Sequence, residues 1–369
     1  MRESRRKGLC CDMPAKFVFS ADDYQLLDFG HGRRLERFGG YVLDRPCPAV
    51  AHLPQGRPDC WNEADARFHR RAATGGVWEL LRHMPDRWFA SCGPLRFELK
   101  RTDFGQVGMF PEQAVNWQWL YERIGQILRP EQRCSGGASG TWALVSDANQ
   151  PPPPCANQPA GGQRVVGQSI AAHAGSSGDC TDARPSLPAS LRVLNLFAYT
   201  GGSTLAAAAA GAEVVHVDAA KNVVAWARRN GELSGLADRP IHWVVEDAMK
   251  FVKRELRRAN RYHAVILDPP SYGHGRRGEV WRLSKHLSRL LELCAELTAS
   301  QRQFVLLTAH TPGFGPRRLA AMLATAFGGP PQASITSERL LLPSSDGRSM
   351  PCGVVARWTP HNAVTQTGS

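Results

Sequence analysis

The 369-residue chain predicts an α/β fold. It should hold a mostly parallel sheet wound with crossover helices, an antiparallel hairpin at one edge, and a small β-rich module in front. Three observations carry this. Apolar, β-branched runs recur from Val193 onward with helix-length stretches between them, as in parallel strands joined by crossovers. Four of these runs end in a glycine turn or an acid: VLNLFAYTGG (193–202), EVVHVD (213–218), IHWVVED (241–247) and AVILDPPSY (264–272). Sheets of this kind bind ligands beyond the carboxyl ends of their strands, where those residues fall. Before them, the chain from Phe17 to about Lys100 has short apolar runs cut by Gly, Pro and Asp, the mark of short strands and turns.

Taken in order, residues 1–16 read as a loose basic tail without the apolar core of a secretory signal. Residues 17–105 read as the β-rich accessory module. From 106 to 369 the chain reads as the α/β domain, opening with a helix from Glu112 to Leu128 that sets Trp117, Leu120, Tyr121, Ile124 and Leu128 at helical spacing. A segment rich in Gly, Ser, Ala, Gln and Pro at about 131–190, with Pro151–Pro154 in a row, interrupts it. Such composition buries too little apolar surface to offset its ordering entropy, so a mobile insert is expected. Beyond it, Ser203 is placed to cap a helix through Ala210, and further helices should follow Asp218, Asp247 and Tyr272. Gln303–His310 reads as a fifth strand, and the runs near Glu338–Leu342 and Cys352–Trp358 as the antiparallel edge hairpin.

Composition narrows the function. A net charge of +12 favours a polyanionic partner. Eleven Lys or Arg residues against three acids between Lys250 and Arg289 hold most of that excess. Ten cysteines without Cys-x-x-Cys spacing, and no Cys/His set of zinc type, predict reduced thiols, a cytoplasmic setting and no metal. No stretch approaches the roughly 20 apolar residues of a membrane span.

Gly201 and Gly202 would let the backbone approach a ligand at a strand-to-helix turn. Asp218, at the end of the second strand, can accept from ribose hydroxyls or cap the next helix; Asp247 can cap a helix or accept from an adenine amine. In Asp268-Pro269-Pro270-Ser271-Tyr272 the prolines remove two N–H donors, so carbonyls and the carboxylate present only acceptors, as a base amine requires. Tyr272 can stack on that base. The nicotinamide signature G-x-G-x-x-G is absent.

Those residues closely resemble the class I S-adenosylmethionine-dependent methyltransferases, a Rossmann-like fold. Within them they are most similar to the family containing the bacterial large-subunit ribosomal RNA methyltransferases I and K. VGMFPEQ at Val107–Gln113 and CGVVAR at Cys352–Arg357 extend the resemblance, while the N-terminal module does not look like the RNA-binding domain of the characterised member. The resemblance implies S-adenosylmethionine as cofactor, held by Phe110, Gln113, Asn195, Phe197, Tyr199, Thr200, Gly201, Asp218 and Asp247. It implies that Asp268, Pro269, Pro270 and Tyr272 face the methyl acceptor, and that the acceptor is RNA, with ribosomal RNA favoured. Arg276, Arg277, Arg282 and Lys285, which follow Tyr272 directly, are the candidate RNA contacts. One departure narrows the chemistry. Cytosine C5 methylation needs a cysteine nucleophile, which the characterised C5 enzyme carries after its fifth strand; Ala309-His310-Thr311 stands there in this chain. A base nitrogen is therefore the expected acceptor. A small-molecule or protein methyltransferase and a non-catalytic RNA-binding protein are the alternatives.

Overall fold

A computed structural model of the protein describes residues 15–72, 75–129, 190–274 and 280–361, all within one compact unit. The expectations for residues 1–14 and for most of the 131–190 segment lie outside the described residues.

The leading strands are β1 (Tyr24–Gly30), β2 (Arg33–Phe38), β3 (Tyr41–Pro46), β4 (Ala66–Ala72) and β5 (Gly75–Leu80), which form one sheet in chain order. All its pairings are antiparallel except β3 with β4. A separate hairpin, β6 (Arg87–Cys92) and β7 (Leu95–Lys100), comes next. A 3-10 turn at Pro111–Gln113 leads into α1 (Ala114–Leu128), which buries Trp117, Leu120, Ile124 and Ile127 on one face. One apolar cluster runs from Phe38, Trp88 and Phe97 of these strands through Trp117 to Leu205 and Ala206, so the leading strands share a core with α1 and the α/β part. Buried Asp28 adds a polar tie. It accepts from the Gly56 and Arg57 amides and the Trp61 indole, and pairs with Arg348.

The α/β part comprises β8 (Arg192–Leu196), α2 (Gly202–Ala209), β9 (Glu213–Asp218), α3 (Lys221–Leu233), β10 (Ile241–Val245), α4 (Ala248–Arg257) and β11 (Ala264–Leu267). It continues with β12 (Tyr272–His274), β13 (Val280–Arg282), α5 (Leu283–Thr298), β14 (Phe304–Ala309), α6 (Pro316–Phe327), β15 (Ala333–Pro343) and β16 (Ser349–Pro360). Its seven-stranded sheet has the order β10-β9-β8-β11-β14-β16-β15. The first five of these strands are parallel, and the β15–β16 hairpin closes the edge antiparallel. β11 and β14 are buried along their whole length, as central parallel strands covered on both faces must be. From β8 the chain builds outward through β9 and β10, then returns to the other side of β8 with β11. Crossovers therefore diverge between β8 and β11, opening a crevice at their carboxyl ends.

Three local expectations need correction. Gly201, not Ser203, caps α2; it adopts φ 93°, and Ser203 lies in the first turn. Ala220 rather than Asp218 precedes α3 as its cap. No helix follows Tyr272 directly; the chain first makes the β12–β13 hairpin, and α5 begins at Leu283. Among the described residues no helix is long and apolar enough to cross a membrane.

Candidate active site

The loop leaving β8 is strained. Phe197 and Tyr199 adopt φ 56° and 48°, a left-handed region that costs a residue bearing a Cβ about 1–3 kcal/mol. Its neighbours hold it there. The Tyr199 amide donates to Asp218 Oδ2 at 3.0 Å, and the Thr200 hydroxyl donates to the Gly108 carbonyl at 2.7 Å. Asn230 Nδ2 donates to the Thr200 carbonyl at 3.0 Å. The Tyr199 ring lies 5.2 Å from that of Phe110, and Phe197 lies 5.0 Å from Trp281. Gly202 owes its identity to packing: a Cβ there would come within 2.4 Å of the Trp117 indole.

This loop forms one wall of a pocket. Phe110, Gln113, Asn195, Phe197, Tyr199, Thr200, Gly201 and Asp268 all line it, together with Met109 and Trp117. Asn195 Nδ2 donates one of its two hydrogens to Thr204 Oγ1 at 2.8 Å, which fixes the orientation of its amide. Thr204 in turn meets His216 Nδ1 at 2.9 Å, and burial pushes the His216 pKa down to about 3, keeping that ring neutral.

Asp268 sits just past β11, and the pairing of Leu267 with Leu307 sets it beside Thr308 of β14. The Thr308 hydroxyl donates to Oδ1, and His310 Nε2 lies 3.2 Å from the same oxygen. Gln113 Nε2 donates to Oδ2 at 3.1 Å. The Gln113 amide cannot turn over freely, because its oxygen accepts from Asn116 Nδ2 at 2.7 Å and Asn116 Oδ1 accepts from Arg357 at 2.7 Å. Arginine has only donors, so the direction of the whole chain is fixed. Burial would raise the Asp268 pKa, but His310 and Thr308 hold it below the usual carboxylate range. The His310 side chain is 34% exposed; its partial burial acts downward, and the Asp268 carboxylate, then Glu112 and the Cys352 carbonyl, outweigh it and push the pKa up to about 10.

Two expected site residues stand farther along the sheet edge. Both Asp218 oxygens accept backbone amides, from Tyr199 and from Ala220 at 3.0 Å, while burial pushes its carboxyl upward. Asp247 caps α4, accepting from the Lys250 amide at 2.9 Å. Neither lines the pocket beside Asp268. Pro269 is buried, and the Pro270 carbonyl is taken by the Trp281 indole at 2.8 Å. Tyr272 is 49% exposed, with the Arg282 guanidinium 5.9 Å from its ring centre. Arg282 and Lys285 are exposed, whereas Arg276 and Arg277 lie outside the described residues. Among the described residues no group of His, Cys, Asp and Glu is placed to hold a metal ion.

Sequence reasoning did not find Thr308, Glu112 and Asn116 as neighbours of the site. Thr308 and His310 had a signal: two polar residues at strand spacing ending an otherwise apolar run point to the same side.

A family model described as S-adenosylmethionine-dependent methyltransferase matches residues 185–330. Ribosomal RNA large subunit methyltransferase I of Aeromonas hydrophila is 37% identical over 86 residues, 23% of this chain and 22% of that protein. Ribosomal RNA large subunit methyltransferase K/L of Shewanella baltica is 38% identical over 90 residues, 24% of this chain and 12% of that protein. The chain thus spans less than a quarter of either relative's length. The crystal structure of a SAM-dependent methyltransferase from Agrobacterium tumefaciens matches far more widely, at 30% identity and TM-score 0.70 over 97% of this chain and 98% of that one. With that relative matched nearly end to end and the strand-end pocket in place, the chain belongs to the S-adenosylmethionine-dependent methyltransferases.

Proposed function

We propose that the protein methylates a base nitrogen in RNA, with ribosomal RNA as the favoured substrate. The observation that carries this reading is the Asp268 carboxylate. Two donors saturate Oδ1 and one occupies Oδ2, leaving a single acceptor position on a residue that lines the pocket. One N–H of a base amine or ring nitrogen fits that position. No cysteine lines the pocket among the described residues, which favours a nitrogen over a covalent route to cytosine C5.

The cofactor supplies an electrophilic sulfonium methyl group, and the chain's task is alignment. β8, β9 and β10 are neighbours, so Gly201, Asp218 and Asp247 step along the sheet edge at roughly 4.8 Å per strand. An extended nucleoside spans such a row. Asn195, Phe197, Tyr199, Thr200 and Gly201 would line its amino-acid end, Asp218 would accept from the ribose hydroxyls, and Asp247 would stand near the adenine. Phe110 and Gln113 line the same pocket and would close over the cofactor. The buried Pro269 makes the acceptor loop stiff, and Tyr272 offers its exposed ring to the base plane. Arg282 and Lys285, with Arg276 and Arg277, would meet the phosphate backbone. A cytosolic setting goes with this reading, since thiols such as Cys47 and Cys352 stay free there.

The test is to incubate the protein with labelled S-adenosylmethionine and total bacterial RNA, then digest the RNA to nucleosides. Label in an N-methylated purine is the expected result. Label only in 5-methylcytidine, or none in RNA, would contradict it.

A further inference from the structure

We propose that His310 is a positioning residue: its doubly protonated ring clamps Asp268 in the charged, acceptor-only state that the methyl acceptor requires. This rests on the RNA-nitrogen reading for its substrate, but its geometry stands apart. Nδ1 lies 2.8 Å from the Cys352 carbonyl, and Nε2 lies 3.2 Å from Asp268 Oδ1. Neither partner has a proton to give when Asp268 is ionised, so both ring nitrogens must carry hydrogen. A neutral ring would leave one nitrogen's lone pair against an oxygen.

The surroundings favour the cation from each side. Asp268 faces it from the end of β11, and the backbone carbonyl of Cys352 faces it from β16. Buried Glu112, before α1, acts on it through space; burial pushes the Glu112 carboxyl upward, while His310 and Arg34 of β2 favour its charge. The Cys352 thiol is neutral, its pKa raised by burial and by Glu112. Thr308 completes the Asp268 Oδ1 shell without charge. Room for the ring is reserved in the backbone: a Cβ on Gly353 would come within 2.7 Å of His310 Nδ1 and 3.0 Å of the Ala309 carbonyl.

Without the imidazolium, Asp268 would bind a proton more readily, and a protonated Oδ2 would offer the acceptor amine a donor where it needs an acceptor. An opposite charge at this range depresses a carboxylate by roughly 1–3 pH units, and removing it should return that much.

Two readouts test this on the full chain. The first needs no turnover: ring-¹³C histidine NMR, with the His310 signal assigned by its loss in His310→Gln. In the wild type the ring should stay in its imidazolium form from about pH 6 to about pH 9; in Asp268→Asn it should titrate near the ordinary value of about 6.5. The second is the pH profile of kcat/KM for RNA methylation. In His310→Gln the acid limb should move up by roughly 1–3 units, and Gly353→Ala, which touches neither partner's side-chain chemistry, should move it the same way. A wild-type His310 that titrates near 6.5, or an activity loss uniform at every pH with no displaced limb, would overturn the proposal. A ring that stays charged in a wild type unable to methylate RNA would support the clamp and refute the RNA reading.

Discussion

Asp218→Ala separates a ligand contact from loop support. In the wild type, Asp218 accepts from the Tyr199 and Ala220 amides at 3.0 Å, and each oxygen retains a lone pair. If those lone pairs take two ribose hydroxyls, their loss at about 1.5 kcal/mol each, the lower figure for hydrogen bonds to a charged group, sums to about 3 kcal/mol. At about 1.4 kcal/mol per decade this weakens binding by roughly 100-fold or more. Isothermal titration with S-adenosylhomocysteine measures it. The control is Asn230→Ala, which frees the Thr200 carbonyl and the Glu98 amide and so loosens the same loop without removing an acceptor from the proposed ribose position. Asn230→Ala should cost the ligand less than about tenfold, or about 1.4 kcal/mol. Equal losses in the two variants would show that Asp218 acts only by holding Tyr199, and a change under about threefold in Asp218→Ala would refute the ribose assignment outright.

Other polar contacts give further expected outcomes. Asp28→Ala removes one of Arg348's two carboxylate partners, leaving Asp346, and takes the acceptor from the Trp61 indole and two loop amides; urea unfolding should show a loss of about 3 kcal/mol. Burial opposes the Asp28 charge, but these donors leave its pKa lowered. Its stabilisation is therefore complete above the ordinary aspartate pKa and lost as pH falls through the depressed one, so Asp28→Asn should flatten the acid arm of the stability curve. Arg282→Ala and Lys285→Ala should each weaken RNA binding across sequences and reduce the log–log salt slope by about 1; an unchanged slope would remove these residues from the interface.

Much of the fold was legible because buried parallel strands leave continuous apolar runs, and the acids and glycines after them fall at the strand ends by necessity. Thus Gly201, Asp218, Asp247 and Asp268 could be placed on one edge from spacing alone. What could not be read depends on register or on distant partners. His310 meets Asp268 only because β14 lies beside β11 in the register Leu267–Leu307, and β16 returns to supply the Cys352 carbonyl. Gly202 looks like a ligand-approach glycine in sequence; the reason for it is Trp117, on a helix far upstream. The β12–β13 hairpin has three-residue strands, too short for a period-two pattern to show, so a helix was expected in its place. Asp247 was ambiguous between cap and ligand, and its bond to the Lys250 amide establishes the cap.

The most direct test is methyl transfer from labelled S-adenosylmethionine to bacterial RNA by the wild type and by Asp268→Ala. Wild-type protein should label RNA, and the variant, deprived of the open acceptor position on Asp268 Oδ2, should lose that label by at least about 100-fold, the effect of roughly 3 kcal/mol at the transition state. Equal labelling by both proteins would contradict the assignment of Asp268 as the group that holds the methyl acceptor.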